Sequence, residues 1–513
     1  MRYEIIFPET MFDKLRRHLF EGRFNGTPLP EMDENACIAL CGVVRSESKT
    51  RYLVRDLDIP GEDEVVRSRG MVRLKPSVYQ RLRKRCSDEG LSPMDVHSHP
   101  FGHGFFSGPD LNTLDMAGYW FSTIREDCPM PMVVHGATSI AGMCYDGINE
   151  GNKISVINEI RVIGHRWQRL RLDTEGQADW AETEAVGRPM IAKGNYHRQM
   201  LCWGVHGQRE LCELHVAILG VGGIGALAAE TLARLGVEEL TLVDLDIVSE
   251  SNLSRLSGAY PGNPFQDGDV GKAKVEVVAR HLRRINPDIK LHLYETEFES
   301  SSVKKDLALC DILYVAVDTL NSRLAANQLG AIYLIPVLEV GTVILADLDR
   351  GMVKRMGCDL TTFIPGTNGC RFCFGERRIL EKGAGVQGSK GYVWGTEQTP
   401  EPAVLPQNAT INALACHQLV KYITGFGSIQ DRLHYDGLNE SLTKVTRNRN
   451  KDCPVCSDKG FLALGDTGTI GTFDAHFEPT DTEKRTLDAL REELRAVDKA
   501  AEESRKEYRW QQK

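Results

Sequence analysis

Apolar positions follow two different periods along this chain. Up to about residue 168, short runs such as ACIALCGVV, RYLVRDLDI and MVVHGA read as strands and alternate with helix-spaced stretches such as SVYQRLRKRCSDEG. This pattern predicts an α/β or α+β domain over residues 1–168. Residues 169–190, LRLDTEGQADWAETEAVGRPMI, are polar and weakly periodic and read as a linker. From residue 214 the order HVAILG, a Gly-rich turn, GALAAETLARLG and ELTLVDLD predicts a strand–helix–strand unit of a mostly parallel sheet. DILYVAVDT and AIYLIPVLEVG continue it, giving a second α/β domain over 191–460. In the remaining segment, 461–513, Leu487, Leu490, Leu494 and Val497 recur at helical spacing among alternating charges. They predict an amphipathic helix that docks on the body or on a partner, set against the plainer alternative of a solvated tail.

Composition narrows the functional classes. A chain of 513 residues exceeds what one core usually organises, so two or three domains are expected. The net charge of -9 argues against a dominant nucleic-acid role. The N-terminus MRYEIIFPETMFDK lacks the regions of a signal peptide, and the longest apolar stretch, near 214–237, is interrupted by Glu230 and Arg234. A cytoplasmic protein with no membrane partner is therefore expected. Fourteen cysteines in such a chain suggest buried thiols and metal ligands before disulfides.

The segment VHSHPFGHGFFSGPD at 96–110 carries the first candidate chemistry. His97 and His99 are two residues apart, so on a strand both imidazoles point to one face and can share a metal, with Asp110 as third ligand. Such a set leaves zinc a fourth position for water, whose pKa can fall from about 9 to about 7. The spacing His97-x-His99-x7-Ser107-x2-Asp110 resembles the JAB/MPN (JAMM) metalloprotease family over about the first 165 residues. The resemblance implies that His97, His99 and Asp110 bind catalytic zinc, that Ser107 helps stabilise the oxyanion, and that Glu34 is the general base, with Glu31 and Asp33 close by. His103 lies inside the motif but outside its pattern. A metal-free binding version of this domain is the main rival.

The second chemistry begins at Gly220-x-Gly222-Gly223-x-Gly225, where a strand turns into a helix and backbone amides can approach phosphates. Asp244, at a strand end 19 residues beyond Gly225, can bond a ribose, which would equally describe an NAD-dependent oxidoreductase. Asn252 and Arg255 in SNLSR, with Lys272 and Lys274, favour a triphosphate, and Asp318 after LYVAV can hold Mg²⁺. This set resembles the ThiF/MoeB and ubiquitin-activating enzyme superfamily over roughly residues 191–460. The resemblance implies ATP held by Gly220, Gly222, Gly223, Gly225 and Asp244. It further implies phosphate contacts from Asn252, Arg255 and Lys274, a magnesium-linked Asp318, and a homodimer in which Arg198 reaches the partner's site.

Cys370-x2-Cys373 and Cys453-x2-Cys456 can close a structural zinc site, an arrangement this superfamily has. Members that pass the activated protein to a thiol usually carry a cysteine in the following loop, yet 374–415 contains none. That stretch offers only hydroxyls such as Ser389, Thr396 and Thr399; Cys416 falls on an expected helix, and Cys358 precedes the zinc pair. The two resemblances together imply a bifunctional enzyme of a ubiquitin-like protein pathway. It would process that protein with one domain and adenylate its C-terminal carboxylate with the other, using ATP, Mg²⁺ and one catalytic and one structural zinc. Sulfur-carrier processing and activation is the alternative of the same class; a conjugating-enzyme-like protein would be a further partner. A non-catalytic scaffold is the alternative from a different class.

Overall fold

A computed structural model describes residues 1–20, 34–68, 71–99, 102–122, 130–145, 154–180, 194–263, 267–347, 351–374 and 402–467. The strands of the first domain are β1 (Arg2–Pro8), β2 (Ala36–Arg45), β3 (Lys49–Asp58), β4 (Val65–Ser68), β5 (Met71–Leu74), β6 (Ser92–His99), β7 (Met130–Gly136), β8 (Ser139–Tyr145), β9 (Ile154–Val156), β10 (Glu159–Ile163), β11 (Trp167–Arg171) and β12 (Gln177–Asp179). Ten of them form one mixed sheet in the order β11-β10-β1-β3-β2-β6-β7-β8-β12, with β9 on β8; β4 and β5 pair separately. Helices α1 (Glu9–Leu19), α2 (Pro76–Glu89) and α3 (Gly108–Ser122) cover it. Phe12, Leu15 and Leu19 of α1 enter the core beside Ile5, Phe7 and Ile160, while Val78, Leu82 and Cys86 of α2 pack on Ile38 and Leu40. The first sheet continues through β11 and β12, so residues 167–171 and 177–179 pair where a linker beginning at 169 was expected. Their alternate residues satisfy sheet edges, which polar composition alone hides.

The second domain carries α4 (His197–Cys212), β13 (His215–Leu219), α5 (Gly223–Leu235), β14 (Glu239–Val243), α6 (Lys274–Ile285), β15 (Lys290–Tyr294), α7 (Ser301–Leu307), β16 (Ile312–Val315), α8 (Leu320–Tyr333), β17 (Val337–Asp347), β18 (Met352–Phe363), α9 (Leu405–Thr424), β19 (Arg432–Asp436) and β20 (Ser441–Val445). Its sheet runs β15-β14-β13-β16-β17-β18-β19-β20, parallel through β17 and antiparallel beyond. The near-continuous apolar runs of β13 and β16 are buried on both faces, as parallel strands require. Within AIYLIPVLEVG, the first three residues instead end α8 and the strand starts at Val337. The helix closes at Leu334 in the left-handed region, ahead of Pro336.

The two domains share a core. Ile6, Val44, Leu53, Ile163 and Trp167 of the first are continuous with the apolar interior of the second. Beside them lies a buried charge cluster: Arg51 bonds Glu4 at 2.7 Å and Asp311 at 3.0 Å, and Arg161 reaches Glu4, Glu159 and Asp311. The segment up to residue 467 straps back across the seam, where Gly465 bridges Val43 and Arg55 donates to the carbonyls of Asp458, Gly460 and Leu462. Gly42 is required there, because a Cβ would fall on the Ala463 carbonyl. The expected helix carrying Leu487 to Val497 lies outside the described residues.

Candidate functional site

Strand β6 presents Asp95, His97 and His99 on one face because side chains alternate with a period of two. Its neighbour β2 begins one residue after Asn35, which brings Glu34 to the same end of the sheet, and the first turn of α3 supplies Asp110. The result is a compact donor set. His97 Nε2 is 3.3 Å from Asp110 Oδ1, His99 Nε2 is 3.6 Å from Asp110 Oδ2 and 3.9 Å from Glu34 Oε1. One donor atom from each of His97, His99 and Asp110 lies within 4.8 Å of the others. His97 Nε2 is buried without an aligned hydrogen bond, an orphan that a metal ion would satisfy.

The electrostatics match that geometry. Burial pulls the His97 imidazole down, but Asp110 and Asp95 outweigh it and push the pKa up to about 9; positive charge is favoured between these donors. Burial and the neighbouring His97 lower His99 to about 4, leaving it neutral near pH 7. Glu34 is raised by burial and further by Asp110, against the pull of His97, which suits a group that takes up and returns a proton. Ser107 donates its hydroxyl (2.6 Å) and its backbone N–H (2.7 Å) to Asp110 Oδ2. Its hydroxyl thus braces the Asp110 carboxylate. His103 is exposed and bonds Thr138, away from the donors. Asp95, 3.5 Å from His97 Nδ1, was missed from the motif; the period of two in SPMDVHSH was the signal for it.

The second site lies at the carboxyl ends of β13 and β16. Strand order reverses between these two neighbours, since the chain winds outward through β14 and β15 on one side and β17 on the other. Such a switch point opens a crevice where α/β sheets hold ligands. Gly220 turns there with φ +86°, and a Cβ would press on the Ala316 carbonyl at 2.8 Å. Gly222 caps α5 and Gly223 opens it, so the first-turn amides face the crevice without helical partners. Gly225 packs on the Gly220 carbonyl, with no room for a side chain. Asp244 accepts from the N–H groups of Val221 (2.6 Å) and Asp246 (2.9 Å), and burial raises its pKa.

Arg255 and Asn408 lie against Gly223, and Arg255 donates to the Ser251 carbonyl at 2.6 Å. Asn252 closes the short turn before it by accepting from Ser249. Lys274 bonds Asp246 at 2.7 Å and is 3.9 Å from Asp244, whereas Lys272 is held by Asp269, and Asp318 follows β16 on the crevice side. Asn408 and Asp246 carried no motif signal, the former because α9 returns from far along the chain. Arg198 is exposed on α4.

The four motif thiols converge as well. Cys370 and Cys453 are 3.6 Å apart, Cys373 and Cys456 3.4 Å, and Cys370 and Cys373 4.0 Å. Tetrahedral thiolates at about 2.3 Å from zinc stand roughly 3.8 Å apart, so the quartet fits that ion. Cys358 and Cys416 are buried with thiols pushed up to about 12 by burial, which leaves them poor nucleophiles. Ser389, Thr396 and Thr399, with Glu31 and Asp33, lie outside the described residues.

A model of the ThiF family matches residues 196–455. The chain is 29% identical over 275 residues to the SAMP-activating enzyme E1 of Haloferax volcanii, across 51% of this chain and 87% of that protein. It is 28% identical over 268 residues to the sulfur carrier protein adenylyltransferase of Thermus thermophilus, across 52% of this chain and 90% of that protein. Among solved structures, E. coli MccB with ATP aligns at a TM-score of 0.40 and 23% identity, covering 51% of this chain and 74% of that one. Among the described residues no helix is long and apolar enough to cross a membrane.

Proposed function

Because the chain belongs to the ThiF family, we propose that its second domain adenylates the C-terminal carboxylate of a small carrier protein with ATP-Mg. The carboxylate oxygen attacks the α-phosphorus, the bond to the bridging oxygen breaks, and pyrophosphate leaves from an acyl-AMP. The observation that carries this reading is the switch-point crevice in which Gly222 and Gly223 present amides while Asp244 and Arg255 flank them. The amides and Arg255, Asn252 and Lys274 would hold the phosphates, Asp244 the ribose, and Asp318 the magnesium ion that offsets phosphate charge. Arg198, exposed near the start of α4, would complete the site of a second copy in a homodimer. The name of the Thermus thermophilus relative favours a sulfur-carrier type of substrate. A ubiquitin-like conjugation pathway is the second reading, favoured by the presence of a candidate peptidase in the same chain.

The first domain would be that peptidase, trimming or releasing the same carrier after its terminal Gly. His97, His99 and Asp110 fit zinc through their converging donors and the orphaned His97 nitrogen. Zinc there would lower the pKa of water toward about 7. Glu34 takes the proton and returns it to the departing amine, Asp95 orients His97, and Ser107 braces Asp110.

The test has two arms. ATP-Mg should raise the melting temperature and NAD should not, with the ATP shift lost in Arg255→Ala. Incubation with ATP and small proteins ending in Gly should give acyl-AMP by mass spectrometry, abolished by Asp318→Ala. Stabilisation by NAD, or undiminished acyl-AMP in the variant, would sink the respective claims.

A further inference from the structure

We propose that His215, Glu239 and His292 form a further binding site for a divalent transition-metal ion of the zinc type. It lies at the amino ends of β13 and β14 and the middle of β15, away from the nucleotide crevice, and rests on neither activity above. Parallel register places His215 beside Glu239 and Thr241 beside His292, so the three donors come from adjacent strands on one face of the sheet. His292 Nε2 is 3.0 Å and His215 Nδ1 3.9 Å from the same oxygen, Glu239 Oε1. All three donors fall within 4.8 Å of one another, and ligands at about 2.0 Å from a tetrahedral ion stand roughly 3.3 Å apart. Small side-chain adjustments close that gap.

Two further observations favour a ligand. His215 Nε2 lies 2.8 Å from the hydroxyl of buried Thr241, which orients the ring so that Nδ1 faces Glu239 and His292. Metal-binding imidazoles are usually oriented in this way through their second nitrogen. The three side chains also line the cleft between the domains, beside Lys49 and Arg169, so a fourth coordination position opens to solvent. Two imidazoles and one carboxylate suit Zn²⁺, Co²⁺ or Ni²⁺ better than the oxygen-seeking Mg²⁺ or Ca²⁺. Lys290 is the local competitor, 3.9 Å from the other Glu239 oxygen, but its side chain is 72% exposed and can turn into water. An ion here would cross-link three strands next to the domain seam, because the His215 N–H and carbonyl both bond Asp311.

The full chain is dialysed to equilibrium against micromolar Zn²⁺ and its zinc content measured by mass spectrometry. His292→Ala, at a half-exposed position, and the isosteric Glu239→Gln should each bind one zinc fewer than wild type. The double variant should lose no more than either single one, since both remove the same ion. His97→Ala/His99→Ala should remove a separate equivalent additively. Wild-type zinc content in both single variants, or additive losses in the His292/Glu239 pair, overturns the proposal and leaves an ordinary Glu–His ion pair.

Discussion

Replacing Asp311 with Asn tests whether buried charge holds the two domains together. Asp311 faces Arg51, Arg161 and Arg169 from the first domain and accepts the backbone N–H of His215 at 3.1 Å. The buried cluster sets the guanidiniums of Arg51, Arg161 and Arg169, with Lys49 and Arg171 at its edge, against the carboxylates of Glu4, Glu159, Glu210 and Asp311. Asn retains an acceptor but leaves one positive charge uncompensated away from water. Breaking a buried pair from one side costs roughly 3–5 kcal/mol, a large part of a typical folding stability of about 5–15 kcal/mol. The expected readout by calorimetry is a melting temperature lower by on the order of 5–10 °C, with the single transition broadened or split as the domains uncouple. Arg2→Ala is the control: Arg2 bonds Glu4 and Glu159 of the same cluster, but its side chain is 50% exposed, so its loss should cost under about 1 kcal/mol. Equal, small effects of the two substitutions would refute the reasoning.

The same cluster sets an acid limit. Burial alone would raise the Asp311 and Glu4 pKa values, but the facing arginines outweigh it and hold both below the carboxylate range. The folded state therefore binds fewer protons than the unfolded one. Its stabilisation is complete above the unfolded values near about 4 and is lost as pH falls below them. Denaturation midpoints measured downward from pH 6 should drop earlier in wild type than a chain lacking this cluster would require; a midpoint flat to pH 3 contradicts the assignment. Gly42→Ala should destabilise by about 1–3 kcal/mol in urea melts, because its Cβ meets the backbone carbonyl of Ala463, which cannot swing aside. Ser107→Ala should weaken zinc at the first site by about 10–100-fold in competition with a chelator, since it removes a brace on Asp110. Cys370→Ala should bind one zinc fewer than wild type by metal analysis, a loss absent if the thiols hold no ion.

Local spacing in the chain was enough for features that depend on backbone periodicity. A strand alternates its side chains, so His97 and His99 had to share a face once β6 formed, and a glycine turn after an apolar strand had to expose amides at a helix start. The thiol pairs were legible for a similar reason, each being a short turn. The tertiary structure alone decided what depends on register and burial between distant segments. It brought Cys370 to Cys453, placed Asn408 of α9 against Gly223, and extended the first sheet through β11 and β12. It also buried Arg51 against Asp311, 260 residues away, and aligned His215, Glu239 and His292 across three strands. Apart from the cysteines, no residue in those groups carries a local mark of its partner. Each pairing follows from which faces exclude water, and that is settled only when the sheets assemble.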